Sequence, residues 1–289
     1  MRRPVSDERR SIPVWGAVGL LLGAFVVAAL ALLGIAALNQ VAHGLTFAVA
    51  FDRSAREPLN LACVQALGLG LAIYAGRFIF DRARPMRALL ALDPPAPAVI
   101  GLAVVAGLGA QFPLAELSNV LQVWFPIRIE QQIELQHLVS PDTLGRALVA
   151  IVAVVVVPAA SEELFFRGLL LPGLARRHGA IFALTLTAML FGSSHMAPAA
   201  IGYATAAGLV LGWVAWRTRS TWTSIAMHAA VNAVPLLLPE RVLRIPGFNV
   251  VSEDVYHVPL PLVLGGTVVA GLAIAAIVRI ARSEDDERR

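Results

Sequence analysis

The sequence predicts an all-α, polytopic membrane protein with about eight transmembrane helices, because of its composition and the length of its apolar runs. Hydrophobic residues make up 58% of the 289 residues and charged residues only 15%, whereas soluble domains average about 45–50% and about 25%. The apolar runs are continuous and do not alternate at every second residue, as a membrane-spanning barrel would require. Too few charges remain to cover a water-facing surface, which disfavours a soluble globular domain.

Eight apolar runs are candidate spans, because a helix needs about 20 mostly apolar residues to cross the hydrocarbon core. The first run follows four arginines but is far longer than the apolar part of a signal peptide, so it is expected to be an anchor. The predicted spans are residues 12–39, 58–80, 96–113, 146–171, 180–197, 199–216, 221–238 and 258–280.

The distribution of arginine predicts that both termini face the cytoplasm. All 23 basic residues are arginine. With eight spans and a cytoplasmic N-terminus, fifteen arginines fall in inner segments, six in outer segments and two within spans. Arginine favours the cytoplasmic side of a membrane, so the N-in/C-in arrangement is self-consistent. The arginines form short clusters between apolar runs and no single basic face, and nucleic acid is therefore not expected as a partner.

The chain is expected to form one transmembrane domain, residues 12–281, between an N-terminal tail (1–11) and a charged C-terminal tail (282–289). The longest connection, 114–145, contains a QQIELQ stretch that could form a helix at the membrane surface. Cys63 is the single cysteine and lies in an apolar run, which excludes a disulfide framework within the chain.

Three charged residues lie where a membrane span is predicted. Glu162 and Glu163 are the only acidic residues within an apolar run, and Arg167 follows them. A charge at the bilayer centre costs about 2.5–3.5 kcal/mol even on a lenient scale. Glu163 and Arg167 are four residues apart, so they share a helix face and can pair, whereas Glu162 points about 100° away. One carboxylate is then neutralised and the other is left free to act as an acid or base; an ion pair that only docks helices is the alternative.

Two histidines and an asparagine add to these charges. His195 ends the motif Phe191-x-x-x-His195 in the predicted fifth span, and His228-x-x-x-Asn232 places an imidazole and an amide on one face of the seventh. A single histidine in a span often serves only a hydrogen bond between helices. Together with a free glutamate, however, these groups could bind a divalent ion such as zinc or position a water molecule for attack.

The three motifs, Glu162-Glu163-x-x-x-Arg167, Phe191-x-x-x-His195 and His228-x-x-x-Asn232, occur in this order on successive apolar segments. In this they resemble the CPBP intramembrane proteases. That family is also called the CAAX-protease and bacteriocin-processing (ABI) family and includes the type II CAAX prenyl endopeptidases. The resemblance covers roughly residues 146–238, and the family's eight-helix architecture agrees with the number of apolar runs.

The resemblance implies hydrolysis of a peptide bond at a site within the membrane. In the family pattern the first glutamate, here Glu162, activates water, and Glu163 with Arg167 supports it. His195, His228 and Asn232 would line the same cavity and act on the water, on a divalent metal (zinc, held by His195 and His228 with Glu162 and Asn232) or on the developing oxyanion. The expected partners are the lipid bilayer and a peptide or membrane-protein substrate. The alanine-rich, lysine-free composition indicates a GC-rich genome and hence a bacterial plasma membrane.

Other chemistries remain as alternatives. The sequence has no HExxH motif, no G-x-S-x-G motif and no aspartate placed for an aspartyl dyad. Ser193 and Ser194 adjoin His195, but neighbouring residues on a helix diverge by about 100°. A non-proteolytic membrane chaperone, immunity factor or scaffold with the same fold stays open, as does a small transporter that uses the glutamates and histidines as a proton relay. Counting along the helices places His195 nearer the outer half of the membrane than Glu162 and His228. This changes if the fifth span begins later, with residues 172–182 above the membrane surface, or if Gly192 and Pro198 bend the chain.

Overall fold

The computed structural model describes residues 11–287, with only the backbone given for 284–287, and this part of the chain folds into helices without any strand. The continuous helix Leu144–His178 includes two π-helical stretches, Ile151–Val156 and Leu164–Leu170. The helices are α1 (Val14–His43), α2 (Phe47–Arg56), α3 (Pro58–Phe80), α4 (Met86–Leu89), α5 (Pro97–Gln122), α6 (Ile129–Val139), α7 (Leu144–His178), α8 (Ala180–Ser193), α9 (Pro198–Thr218), α10 (Thr221–Leu237) and α11 (Leu260–Glu287).

Six helices of the described part are long and apolar enough to cross a membrane, namely α1, α3, α5, α7, α9 and α11. Each of the eight predicted runs is helical, but two of the helices are short. Helix α8 has 14 residues and α10 has 17, which correspond to about 21 and 26 Å, less than the roughly 30 Å of a hydrocarbon core. The chain is therefore an all-helical, integral membrane protein, while the count of eight spans and the N-in/C-in orientation remain predictions.

The connections between helices gather at two opposite ends of the bundle. At one end the Ser220 hydroxyl donates to the carbonyl of Asp93 (2.7 Å), and the Ile12 amide donates to the carbonyl of Gly173 (3.0 Å). At the other end Arg56 pairs with Glu134 across the α2–α6 contact. We call these the arginine-rich end and the α6 end. The predicted tail residues 1–10 and 288–289 lie outside the described residues, and the backbone of 282–287 continues helix α11.

Helix α5 packs closely against α10 and α11 because its glycines allow close approach. A Cβ atom added at Gly107 would overlap the carbonyl oxygen of Met227 on α10, and one at Gly109 would lie 2.8 Å from the carbonyl oxygen of Gly266 on α11. Small residues are common at such helix contacts in membranes, where packing drives association. Helix α5 thereby positions α10, which carries His228 and Asn232.

Helix α7 departs from α-helical geometry on both sides of its two glutamates. The carbonyl of Val154 would accept from the amide of residue 158 in a regular α-helix, but Pro158 has no N–H. A π-helical stretch is a usual response to such an interruption and is common at functional sites. The segment 157–163 between the two stretches presents Glu162 and Glu163 to the neighbouring helices.

The connections at the α6 end also differ in part from expectation. The QQIELQ stretch is helical, as predicted, within α6. Helix α5 extends to Gln122, well beyond the predicted end at residue 113, although Pro113 lies inside it. The segment between α10 and α11 is irregular and is fixed to α5, where the carboxylate of Glu116 contacts Nδ1 of His257 (2.6 Å) and accepts from the amide of Val258 (2.8 Å).

Candidate active site

The predicted ion pair between Glu163 and Arg167 is present in the interior of the bundle. Nη1 of Arg167 donates to Oε1 of Glu163 at 2.7 Å, and the side chains are 1% and 0% exposed. Nη2 of Arg167 donates to the carbonyl of Gly208 on α9 (3.1 Å), and the guanidinium lies 4.4 Å from the centre of the Phe191 ring on α8. The pair thus holds α7 against both α8 and α9.

His228 joins the two glutamates. Its Nδ1 lies 2.9 Å from Oε1 of Glu163, the oxygen that also accepts from Arg167. Because a carboxylate only accepts hydrogen bonds, Nδ1 carries a proton. In the neutral form of the ring, Nε2 then has a lone pair. Nε2 lies 3.9 Å from Oε2 of Glu162. The buried ion pair therefore fixes the orientation of the imidazole that faces Glu162.

Gln65, a residue outside the predicted motifs, orients the side chain of Glu162. Oε1 of Glu162 accepts a hydrogen bond from Nε2 of Gln65 on α3 at 2.8 Å. Gln65 carries no charge, so this hydrogen bond orients the carboxylate without neutralising it, and its second oxygen faces His228. The Glu162 side chain is 14% exposed, in contrast to the fully buried Glu163. The two adjacent glutamates thus differ in burial and in partners.

His195 was predicted to lie within the fifth span. In the structure it lies in the turn after α8. Helix α8 ends at Ser193 and α9 begins at Pro198. Helix α8 is only about 21 Å long, whereas the hydrocarbon core is about 30 Å thick. If α8 begins at one membrane surface, the turn after it therefore lies within the opposite half of the bilayer. Nδ1 of His195 lies 3.0 Å from the carbonyl of Phe191, so Nδ1 is again the protonated nitrogen.

Phe191 separates the two histidines. Its ring packs edge-to-face against His195 and His228, with ring centres 5.0 and 5.7 Å apart. Ser193 and Ser194 are not placed as nucleophiles, because their hydroxyls donate to the carbonyls of Leu190 (2.8 Å) and Phe191 (2.6 Å). Nδ1 of His195 lies 3.5 Å from the Ser194 hydroxyl, but it donates to the carbonyl of Phe191 and so cannot act as a base there.

Asn232 completes the set of predicted site residues. Its Nδ2 donates to the carbonyl of Val154 at 3.1 Å, the carbonyl that loses its α-helical partner at Pro158. This hydrogen bond fixes the amide of Asn232 against the π-helical stretch of α7. One N–H and the Oδ1 atom of the amide remain for other partners.

A cavity of about 920 Å³ reaches this site from the α6 end. His195, His228 and Asn232 lie on its wall, whereas Glu162, Glu163 and Arg167 do not. His228 is thus the contact between the cavity and the two glutamates. Tyr203, which lies outside the three sequence motifs, also lines the cavity, with its ring centre 6.4 Å from that of His195. The apolar surroundings of Tyr203 in the sequence gave no signal of this position.

The two histidines are also potential ligands of a metal ion. The Nε2 lone pairs of His195 and His228 are of the kind that bind either zinc or water. Among the residues that the structure describes, however, no group of three or more His, Cys, Asp or Glu side chains is close enough to hold an ion. Zinc therefore remains a prediction, and no chemical step below depends on it.

A comparison with protein families agrees with the geometry. Residues 144–234 match the family model described as "Type II CAAX prenyl endopeptidase Rce1-like". Over this segment, 91 of the 289 residues, the chain is similar to the CAAX-protease family. The matched segment contains all six predicted site residues but neither α3 nor α11. A search of curated proteins and a search of solved structures found no match to the chain.

Proposed function

We propose that this chain is an intramembrane endopeptidase of the CAAX-protease type, which hydrolyses a peptide bond with a water molecule activated by Glu162. The observation that carries this proposal is the separation of 3.9 Å between Oε2 of Glu162 and Nε2 of His228. That distance is too long for a direct hydrogen bond and accommodates a water molecule that touches both atoms. The family match supports a peptide or a membrane-associated protein as the substrate.

In this mechanism Glu162 is the general base and Glu163 is not. The water oxygen attacks the carbonyl carbon of the scissile bond while Glu162 takes a proton from the water. As the tetrahedral intermediate collapses, the C–N bond breaks and Glu162 returns that proton to the leaving nitrogen. Glu163 holds the proton of His228 on Nδ1, so that Nε2 can accept the second hydrogen bond of the water.

Asn232 and His195 are assigned to the carbonyl oxygen of the substrate. The amide of Asn232 has one N–H that its bond to Val154 does not use, and this N–H can donate to the developing oxyanion. His195 lies on the same wall of the cavity and contributes there when its ring is protonated.

The cavity provides the space for the substrate. Its volume of about 920 Å³ lies in the range of about 300–1,000 Å³ that is usual for ligand pockets. Apolar side chains on three helices, including Leu114, Val210 and Ile274, line it together with the site residues. An apolar peptide segment in an extended conformation fits this lining. From the composition of the chain, we propose that the reaction takes place in the plasma membrane of a bacterium.

A peptidase assay in detergent tests the proposal. The purified chain is incubated with a panel of fluorogenic membrane peptides, with and without lipid chains, and the products are identified by mass spectrometry. The wild type and Glu130→Ala, which removes an exposed carboxylate of α6, should cleave at least one peptide, and Glu162→Ala should not. A phenanthroline-treated sample checked by elemental analysis shows in the same assay whether zinc takes part. Absence of cleavage by the wild type across the panel would instead favour a chaperone, scaffold or transporter.

A further inference from the structure

We propose that Gln65 on α3 is a positioning residue that aims the carboxylate of Glu162 at the water molecule. This inference rests on the proposed function and deepens it. Nε2 of Gln65 donates to Oε1 of Glu162 at 2.8 Å. Among the described residues, this is the one hydrogen bond that reaches the six site side chains from outside residues 144–234. The site is therefore completed by a helix that the family match does not include.

The position of Gln65 in the sequence argues for a role beyond packing. It lies in an apolar stretch of α3, between Asn60 and Arg77, in which it is the only strongly polar side chain. An amide inside a membrane helix is costly unless it is hydrogen-bonded. A hydrogen bond to a carboxylate is stronger than one between neutral groups. The amide of Gln65 donates to Glu162 at 2.8 Å and makes only a longer contact, 3.5 Å, to the hydroxyl of Ser161.

The packing of α3 on α7 fixes this contact. A Cβ atom at Gly76 would lie 2.7 Å from Cδ2 of Leu169, so the two helices approach closely there. Gly76 follows Gln65 by eleven residues, about three helical turns, and therefore lies on the same face of α3. On α7, Leu169 follows Glu162 by about two turns. The close approach at Gly76 thus sets the register that brings Gln65 to Glu162.

The hydrogen bond acts on the half of the carboxylate that does not face His228. With Oε1 held by Gln65, Oε2 is directed at Nε2 of His228 across the gap of 3.9 Å. Without it, the carboxylate can rotate about its last bond, whose preferences are broad. The base would then spend less time in the reactive orientation, which lowers the rate of the chemical step more than substrate binding.

The test is a double-mutant cycle with Gln65→Met, which keeps the size of the side chain but has no donor, and Glu162→Gln. Gln65→Met should lower kcat about 10-fold or more, the usual effect of losing a hydrogen bond to a charged group, with KM within about 2-fold. In the Glu162→Gln background it should have no further effect, because Gln65 acts only through Glu162. Gln65→Asn, whose amide is one methylene too short, should resemble Gln65→Met.

Gln40→Met on α1 is the matched control, since Gln40 lies in a span but contacts no site residue, and it should keep wild-type kcat. Unfolding temperatures in detergent should agree among all variants. Two results would overturn the positioning role: wild-type kcat in both Gln65 variants, or a loss of kcat from Gln65→Met that is equal in the wild-type and Glu162→Gln backgrounds. Either result would leave Glu162 as the base. If Glu162→Gln itself cleaves normally, the proposed function fails instead.

Discussion

One oxygen atom of Glu163 accepts hydrogen bonds from two side chains, Arg167 on its own helix and His228 on α10. Removal of one member of a buried ion pair typically costs about 3–5 kcal/mol, because the remaining charge is left without compensation. Glu163 is 0% exposed, so solvent cannot replace the lost charge. At the scale of single residues, Glu163 is therefore expected to matter for stability and Glu162 for turnover.

Glu163→Gln should lower the free energy of unfolding by about 3–5 kcal/mol, because Arg167 stays buried opposite a neutral amide. The measurement is thermal unfolding in detergent. Glu163→Gln combined with Arg167→Met should recover much of this loss without restoring turnover, since His228 still lacks its carboxylate. Glu130→Gln, on the exposed side of α6, serves as the control and should unfold like the wild type. An unchanged unfolding temperature for Glu163→Gln would contradict the structural role of the pair.

At the scale of elements, the short helix α8 determines where His195 lies. Helix α8 packs closely on α9 at Gly192, where an added Cβ atom would overlap Oγ1 of Thr205 and lie 2.7 Å from the carbonyl oxygen of Ile201. These contacts fix the turn that carries His195, three residues further along the chain.

Gly192→Ala should destabilise the protein by about 1–3 kcal/mol, the usual cost of overpacking, and should lower turnover because His195 moves with the end of α8. Gly19→Ala on α1 is the matched control, since nothing lies within 4 Å of its added Cβ atom. It should be neutral or stabilising by up to about 1 kcal/mol, because glycine is unfavourable within a helix. Both are measured by unfolding in detergent together with the peptidase assay. Equal stability of the two variants would show that α8 and α9 can move apart freely.

Local rules predicted some of these features and could not predict others. The helices follow from the length of apolar runs, and the pair of Glu163 and Arg167 follows from a spacing of four residues. No capping signal in the sequence marks the end of α8 at Ser193. The predicted span was therefore drawn from the apolar run alone and extended past His195 to residue 197. Gln65 lies 97 residues from Glu162, and their contact depends on the register of α3 against α7. The only sign of this contact in the sequence is that Gln65 is a single amide within an apolar run.

At the scale of the whole molecule, the two ends of the bundle should face opposite sides of the membrane. Reporter fusions after residues 88, 178 and 218 should report the cytoplasm, because these positions lie at the arginine-rich end. Fusions near residues 55, 130 and 248, at the α6 end, should report the exterior. The structure groups each set of positions at one end of the bundle. Two or more reversed readouts would contradict the predicted N-in/C-in arrangement with eight spans.

The central claim is that Glu162, and not its neighbour, activates the water molecule. The most direct measurement compares kcat of the wild type and Glu162→Gln on the same cleaved peptide, with unfolding in detergent measured on both. Glutamine keeps the shape of the side chain but cannot take up the proton, so kcat should fall at least about 100-fold while the unfolding temperature stays the same. A Glu162→Gln variant that cleaves at the wild-type rate, with a folded Glu163→Gln variant that is inactive, would contradict the account and move the base to the dyad of Glu163 and His228.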